Sequence, residues 1–582
     1  KPWLCNMMLL RQFNNRVALS SCNRPSNESF MNRLTKFLRE YLGDVGVVFY
    51  TSVVIITAFV TTSVLYPDAV ESTAQQILDI TARKLGWMYL VATTGFVLFV
   101  LFLALSKFGS IRLGAENEPP EFSFNSWLAM IFSGGMGVGL VFWGVAEPMM
   151  HFNDPPLGLA EPRTSDAAQL GMRYAFFHWG FHQWANFTLV GLAIAYVRFR
   201  HSSRGLISES FRPLLGDRVD RGWGNIVDIL AVVSTVFGVA TTLGLGALQV
   251  NSGLANLGLA AYSTTSQFYI LAGLATLFII SAMTPLDMGI RYLSNANMVL
   301  AAGLLFFVLA TGPSGFIFSE LTQTAGEYLG NIIEMSLVTT PYSHEHWVEQ
   351  WTMFYWAWGL SWAPFVGSFI ARISRGRTVR EFVLGVMIVP VALSMLWFAT
   401  FGGSAIYFDL FDGVAIADAV SEEVPAGLYV LLDQLPWGEF AAILTVALVS
   451  MFVVTSADSA TFVLGMFTSK GVLTPTRFVR ILWGGLQLLM ASVLLLTGGL
   501  NGLRTVSIIA AFPFMLLMLL MAFSLHKDLA AEIRRREEKD QLLHTRIEQL
   551  LMRESERDAE RREEEEIHPT APEECPVQKC DN

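Results

Sequence analysis

The chain is poor in charge. Only 15% of its 582 residues are Asp, Glu, Lys or Arg, where a soluble globular chain carries about 25%. Hydrophobic residues make up 53% and mean hydropathy is +0.46. Several apolar runs reach the roughly 20 residues a helix needs to cross a bilayer, so the composition predicts an all-α, multi-pass membrane protein. Cysteine is almost absent too. The four present, Cys5, Cys22, Cys575 and Cys580, all lie in the terminal segments, which leaves the spans without a disulfide, a thiolate metal site or a thiol nucleophile. No HExxH pair and no Walker loop occurs, so an enzyme is not expected. Residues 1–30 hold no apolar run long enough for a signal peptide, and Met31 is a candidate natural start.

Basic residues are missing from particular loops, and the pattern orients the chain. Hydropathy predicts twelve spans near 46–66, 87–106, 124–146, 169–197, 226–254, 267–285, 295–312, 350–371, 381–401, 439–468, 478–498 and 502–524. Loop 313–349 has five glutamates and no Lys or Arg, and loop 402–436 has six acids and no base. Loop 198–225 has six arginines and loop 372–380 has four. Such alternation fits twelve crossings with both termini cytoplasmic in the cell inner membrane. The net charge of −10 owes something to the tail, where residues 525–567 hold 14 acids and 10 bases. Residues 526–566 read as a charged helix, either simply solvated or regulatory. Residues 331–340 are expected to form a short interfacial helix.

Within this oily background the stretch GGMGVG, residues 134–139, interrupts the third span. Each glycine costs roughly 0.5–1 kcal/mol against alanine inside a helix. Unwound backbone at membrane depth survives only inside protein or lining a cavity, where freed carbonyls can bind a cation and half-helix ends can face a substrate. The alternative is close helix packing through small residues. In the eighth span Trp358, Trp362, Phe365 and Phe369 recur at steps of four, three and four, one helix face. Trp184 and Phe187 share a face of the fourth span, and Trp179 joins them only if that helix is distorted. Aromatic faces suit a quaternary ammonium, held by cation–π attraction; plain aromatic packing is the other reading. The tenth span carries FVVTSADSATF, 452–462, with hydroxyls at Thr455, Ser456, Ser459 and Thr461 beside Asp458. Such hydroxyls either bond back to their own helix or, with freed carbonyls, supply hard oxygen ligands for Na⁺. An intramembrane carboxylate such as Asp458 is a functional candidate.

FSGGMGVGLVFWGVAEP, FHWGFHQW, TVFGVATTLGLGALQ, WAWGLSWAPFVGSFIARISRGR and VTSADSA, in this order, resemble the betaine/choline/carnitine transporter family over roughly residues 40–525. The resemblance implies a leucine-transporter-like fold of two inverted five-helix repeats, a homotrimer and alternating access about a midplane site. The expected organisation is an N-terminal segment (1–45), two extra helices (46–123), the first repeat (124–312), an outer loop (313–349), the second repeat (350–524) and a charged tail (525–582). By matching motif, the substrate site takes Trp179, Trp184, Phe187, the broken stretch at Met136, Gly137 and Gly139, and Trp358, Trp362 and Phe365. Sodium would use the carbonyls of Ser133, Met136 and Phe452 with the hydroxyls of Thr455 and Ser456. A second ion would use Thr235 and Phe365, but Val239 stands where its usual threonine does, so one sodium is expected.

Other departures bear on the substrate. Gly359 replaces a usual tryptophan and Phe187 a frequent tyrosine. Gly139 stands where proton-coupled choline carriers have aspartate, so Gly139→Asp is expected to favour choline. Residues 226–254 lack the arginine that replaces sodium in carnitine exchangers. The expectation is Na⁺-coupled uptake of a compact zwitterion, glycine betaine first; the alternatives are sodium-independent carnitine or betaine exchange, or carriage of choline, ectoine or dimethylsulfoniopropionate. Expected partners are the small-molecule substrate, membrane lipid and further copies of the chain, with no nucleic acid and no cofactor beyond coupling Na⁺.

Overall fold

The structure, a computed structural model, describes residues 41–135, 137–283, 286–342 and 346–567. Its described part is helical almost throughout, with one isolated β-bridge pairing Arg112 and Thr378. The first helices are α1 (Val47–Leu65), α2 (Pro67–Leu78), α3 (Gly86–Leu105), α4 (Phe124–Gly135), α5 (Val138–Asn153), α6 (Ser165–His178) and α7 (Phe181–Arg200). Then come α8 (Trp223–Asn256), α9 (Thr264–Met283), α10 (Leu286–Thr311), α11 (Ser314–Ser336), α12 (Phe354–Ile373) and α13 (Val379–Asp412). Two short helices, α14 (Ile416–Glu422) and α15 (Ala426–Asp433), precede α16 (Gly438–Thr468) and α17 (Arg477–Ile567).

Eight of the described helices, α1, α3, α8, α9, α10, α13, α16 and α17, are long and apolar enough to cross a bilayer. The chain is therefore a multi-pass membrane protein. Three expected spans are not among them: 350–371, whose helix α12 is unbroken but rich in Trp, Tyr and Pro of low hydropathy, and two that are broken. Span 124–146 is divided into α4 and α5, of 12 and 16 residues. Span 169–197, expected as one helix, is two: α6 ends at His178, Trp179 and Gly180 leave helical geometry, and α7 starts at Phe181. Within α17 Gly499 breaks the helix at φ 53° and ψ −137°, a left-handed conformation that costs glycine nothing sterically. That turn separates the stretches read as the last two spans.

The centre of the bundle is aromatic, with Trp127, Trp143, Trp184, Trp356 and Trp483 among its largest buried side chains. Close packing through glycine does occur. A Cβ on Gly367 of α12 would lie 2.8 Å from the backbone nitrogen of Gly191 in α7, so those helices touch backbone to backbone. One on Gly144 of α5 would meet Trp397 Nε1 at 2.6 Å, and one on Gly402 of α13 would meet Pro148 Cγ at 2.6 Å. A tight contact thus holds one half of each broken segment, α5 and α7.

Three peripheral features differ from expectation. The outer-loop helix begins at Ser314, not 331, and ends at Ser336. The linker after α1 folds into α2, which no long apolar run announced. The tail is neither free nor wholly docked. Leu529 and Ile533 are buried, His201 Nε2 lies 2.9 Å from Asp528, Arg200 pairs with Glu532 and Lys107 Nζ with Glu537 at 2.8 Å. From Asp540 to Glu563 the helix is exposed.

Candidate functional site

The break between α4 and α5 faces the tryptophans. Gly137, Gly139, Leu140, Trp179, Gln183, Trp184, Phe187, Trp358 and Trp362 enclose one cavity of about 30 Å³, room for only one or two waters. A larger guest must spread these walls. Trp179 meets Trp358 edge-on at 6.0 Å and 85°. Trp358 meets Trp362 at 6.3 Å and 69°, and Trp184 meets Phe187 at 5.5 Å and 89°. Such edge-to-face pairs are favourable in themselves, and at a shared cavity they present π-faces at several angles. Trp179 reaches the chamber because the helix break after His178 supplies the distortion its register required.

Not every aromatic of the stripe lines this space. Phe365 packs edge-on behind Trp362 at 5.5 Å, and Phe369 is partly exposed away from the cavity. Gly139 is pressed against two indoles: a Cβ there would stand 2.3 Å from Trp358 Cη2 and 3.1 Å from Trp179 Cη2. Thus an aspartate at 139 would collide with Trp358 before its charge could act, which changes what that substitution tests. Met136 lies outside the described residues, as does the side chain of Ser133.

A polar network unforeseen from the sequence holds the cage from behind. Trp179 Nε1 donates to Glu147 Oε2 at 2.8 Å, and Glu147 Oε1 lies 2.6 Å from His178 Nδ1. A carboxylate only accepts, so His178 donates through Nδ1 and its Nε2 accepts from Thr352 Oγ1 at 2.9 Å. All four residues are buried. Glu147, His151 and His178 offer ligand-type atoms within 4.8 Å of one another, yet both Glu147 oxygens already serve donors. The arrangement works as a hydrogen-bonded brace joining α5, α6 and the π-turn Glu349–Met353 before α12. Arg504 of α17 closes this region, its guanidinium 4.9 Å from Trp143, 4.8 Å from Trp351 and 5.1 Å from Phe354. The sequence signal was the Glu in GVAEP, placed one residue beyond the end of its expected span.

The hydroxyls of α16 approach the same break. Ser456 Oγ lies 3.8 Å from where a Gly137 side chain would start. Thr455 Oγ1 donates back to Met451 and Phe452 carbonyls at 2.9 and 3.1 Å and accepts from Asn297 Nδ2 at 3.0 Å. Thr235 Oγ1 bonds back to Ala231 O at 2.7 Å. As a set, Ser456, Thr455 and the Phe452 carbonyl are hard oxygens of the type Na⁺ takes, beside unwound chain. Asp458 is committed elsewhere: Arg480 NH2 lies 2.7 Å from Oδ1 and Ser281 Oγ donates to Oδ2 at 2.7 Å.

A larger cavity of about 1110 Å³ lies at the arginine-rich end, between loop 198–225, the start of α1 and the tail. Its wall is charged and internally paired, as in Arg212–Asp220 at 2.9 Å. It shares no residue with the aromatic chamber.

Broken helices around a buried aromatic chamber, inside a multi-pass bundle, define a membrane transporter. A family model described as BCCT, betaine/carnitine/choline family transporter, matches residues 47–534, and the chain belongs to that family. It is 45% identical over 483 residues to an ectoine/hydroxyectoine transporter of Virgibacillus pantothenticus, covering 83% of this chain and 96% of the relative. It is 44% identical over 496 residues to a glycine betaine transporter of Bacillus subtilis (strain 168), covering 85% and 96%. An osmo-dependent choline transporter of Acinetobacter baylyi is 38% identical over 491 residues, covering 84% of this chain and 71% of that protein. Members of this family are transporters, not enzymes.

Proposed function

We propose that the protein is a Na⁺-coupled symporter that takes up a compact zwitterionic osmolyte, glycine betaine or an analogue of similar size such as ectoine, by alternating access. The observation that carries this reading is the convergence of the α4–α5 break with Trp179, Trp184, Phe187, Trp358 and Trp362 on one chamber. Aromatic faces there supply cation–π attraction to an alkylated cation, worth about 2 kcal/mol each when desolvated. The Glu147–His178–Thr352 brace keeps Trp179 in place. Na⁺ would be held by the oxygens of Thr455, Ser456 and Phe452 with carbonyls of the broken stretch, so that ion binding draws α16 and the α4–α5 break together. Twelve spans in two inverted five-helix repeats, cytoplasmic termini, an inner-membrane location and a homotrimer belong to the same reading, supported by family membership, and for the termini by the contact of the arginine-rich loop 198–225 with the tail.

Sodium-independent exchange is the second reading, and one contact favours it: the Asn297 amide already occupies Thr455 Oγ1. The test is uptake by reconstituted protein of labelled glycine betaine, carnitine, choline and ectoine, with and without an inward Na⁺ gradient. Symport predicts concentrative uptake of a zwitterion only with the gradient. Uptake indifferent to sodium, or requiring a counter-substrate inside the vesicle, replaces symport with exchange.

A further inference from the structure

Gly359 is where many relatives of the betaine type would be expected to carry one more indole, but its space is not open. A Cβ on Gly359 would fall 2.2 Å from Gln183 Oε1 and 2.5 Å from both Cδ and Nε2. The Gln183 amide therefore lies flat against the α12 backbone in the wall of the chamber. Gln183 is 8% exposed, and its Oε1 has no hydrogen-bond partner. Trp362 Nε1, on the same wall, is buried and unpartnered as well. A chamber walled mostly by rings thus holds an idle acceptor and an idle donor. Turning the amide over would put the NH₂ donor at that position and move the acceptor to the Nε2 position, which lies against the same glycine. Buried polar atoms without partners are rare and costly unless a ligand satisfies them.

We propose that Gln183 is a specificity-determining residue that selects zwitterions whose cationic end carries N–H donors, such as an amidinium carboxylate, over fully methylated ammonium compounds. This rests on the chamber being the substrate site. A trimethylammonium head has no N–H and leaves the Gln183 oxygen unpaired, whereas an amidinium satisfies it while its flat delocalised cation stacks on the indoles. The carboxylate of the same guest accepts from Trp362 Nε1. Site polar groups discriminate most strongly by being left unpaired in the wrong complex.

The test uses the purified full-length protein with ectoine and glycine betaine as probes, each affinity measured by titration calorimetry. The wild type is expected to bind ectoine more tightly. Gln183→Leu should lower the ectoine-to-betaine affinity ratio about ten- to a hundredfold, the worth of one charge-assisted hydrogen bond. Gln183→Glu, which keeps and strengthens the acceptor, should hold or raise the ratio. The double variant Gln183→Ala/Gly359→Trp, which restores an indole, should turn preference toward betaine. Equal weakening of both probes in all three variants means that Gln183 only packs, and the proposal fails while the transport reading stands. If wild type binds neither probe, the transport reading falls and takes this one with it.

Discussion

Replacing Gly139 by alanine adds one methyl group at the most crowded point of the chamber. That carbon would lie 2.3 Å from Trp358 Cη2 and 3.1 Å from Trp179 Cη2. Carbon contacts settle near about 3.5–4.0 Å, so Trp358 must retreat by roughly an ångström. It has little freedom to do so. Its ring stacks on Phe354 at 6.0 Å and 7°, and its Nε1 donates to Gly238 O and Thr242 Oγ1, each at 3.3 Å. Overpacking of this kind costs about 1–3 kcal/mol, against a gain of about 0.5–1 kcal/mol from placing alanine rather than glycine in a helix. The clash wins, and stability should fall by about 1–2 kcal/mol. Binding should suffer further, because a displaced Trp358 forfeits a cation–π face worth about 2 kcal/mol, some thirtyfold in affinity. Thermal unfolding in detergent and calorimetric titration with glycine betaine measure the two effects. Gly95→Ala, in α3 with nothing within 4 Å of the new carbon, is the control and should leave both unchanged or raise the melting temperature. A Gly139→Ala protein that melts no lower than wild type and binds betaine within about twofold of it refutes the reasoning: Trp358 would then have given way without cost.

Three further outcomes follow from the same contacts. Glu147→Leu strands the buried donors of Trp179 and His178, at about 1–3 kcal/mol each, and should lower both melting temperature and substrate affinity. Glu147→Gln should be milder, since its amide still accepts from Trp179 and donates to His178 in the other tautomer; identical damage from both, read by the same titration, would remove the brace from the account. Asp458→Ala leaves Arg480 charged and buried, a loss of about 3–5 kcal/mol, whereas Asp458→Leu with Arg480→Met should be near neutral; denaturation of the two proteins separates a structural pair from one that transport requires. Truncation after Glu538 keeps Asp528, Leu529, Glu532 and Ile533 and should preserve melting temperature and uptake, while truncation after His526 removes these anchors and should lower both. Loss of osmotic response in the shorter protein is therefore no proof of sensing unless the longer one shares it.

Much of the site could be read in one dimension because its parts follow a helical period or break it. Trp358 and Trp362 are four apart and both line the chamber. The glycines at 134–139 allowed either a break or close helix packing, and the chain does divide there. Trp179 lies about 140° from Trp184 on an ideal helix, and its arrival in the chamber depended on a second break that nothing in FHWGFHQW demanded beyond a single glycine. Glu147 was hidden by an error of one residue in a span boundary. Hydropathy ends a span at the first charge, yet this carboxylate is buried deep because Trp179 and His178 bond to it. Helix α2 escaped notice for the reverse reason, since it lies at the surface and no long apolar run marks it.

Gln183 was invisible for a more general reason, because its meaning depends on the register between two helices. Gly191 of α7 meets Gly367 of α12, and eight residues earlier on each helix Gln183 meets Gly359. Equal offsets on both chains describe a parallel crossing, with contact points about 12 Å apart along the axes. At one point both partners are glycine and backbones touch. At the other, the absence of a side chain on α12 admits a large one from α7. A glycine in place of tryptophan at 359 therefore carries no information on cavity size until the opposite residue is known. The backbone contact at Gly191 and Gly367 locks the helices together and prevents Gln183 from sliding past Gly359. Widening that contact should release it. Gly367→Ala, whose Cβ lies 2.8 Å from Gly191 N, must push the helices apart, and it should blur the discrimination between ectoine and betaine without touching the chamber. Unchanged discrimination in a folded Gly367→Ala protein would mean that register is set elsewhere.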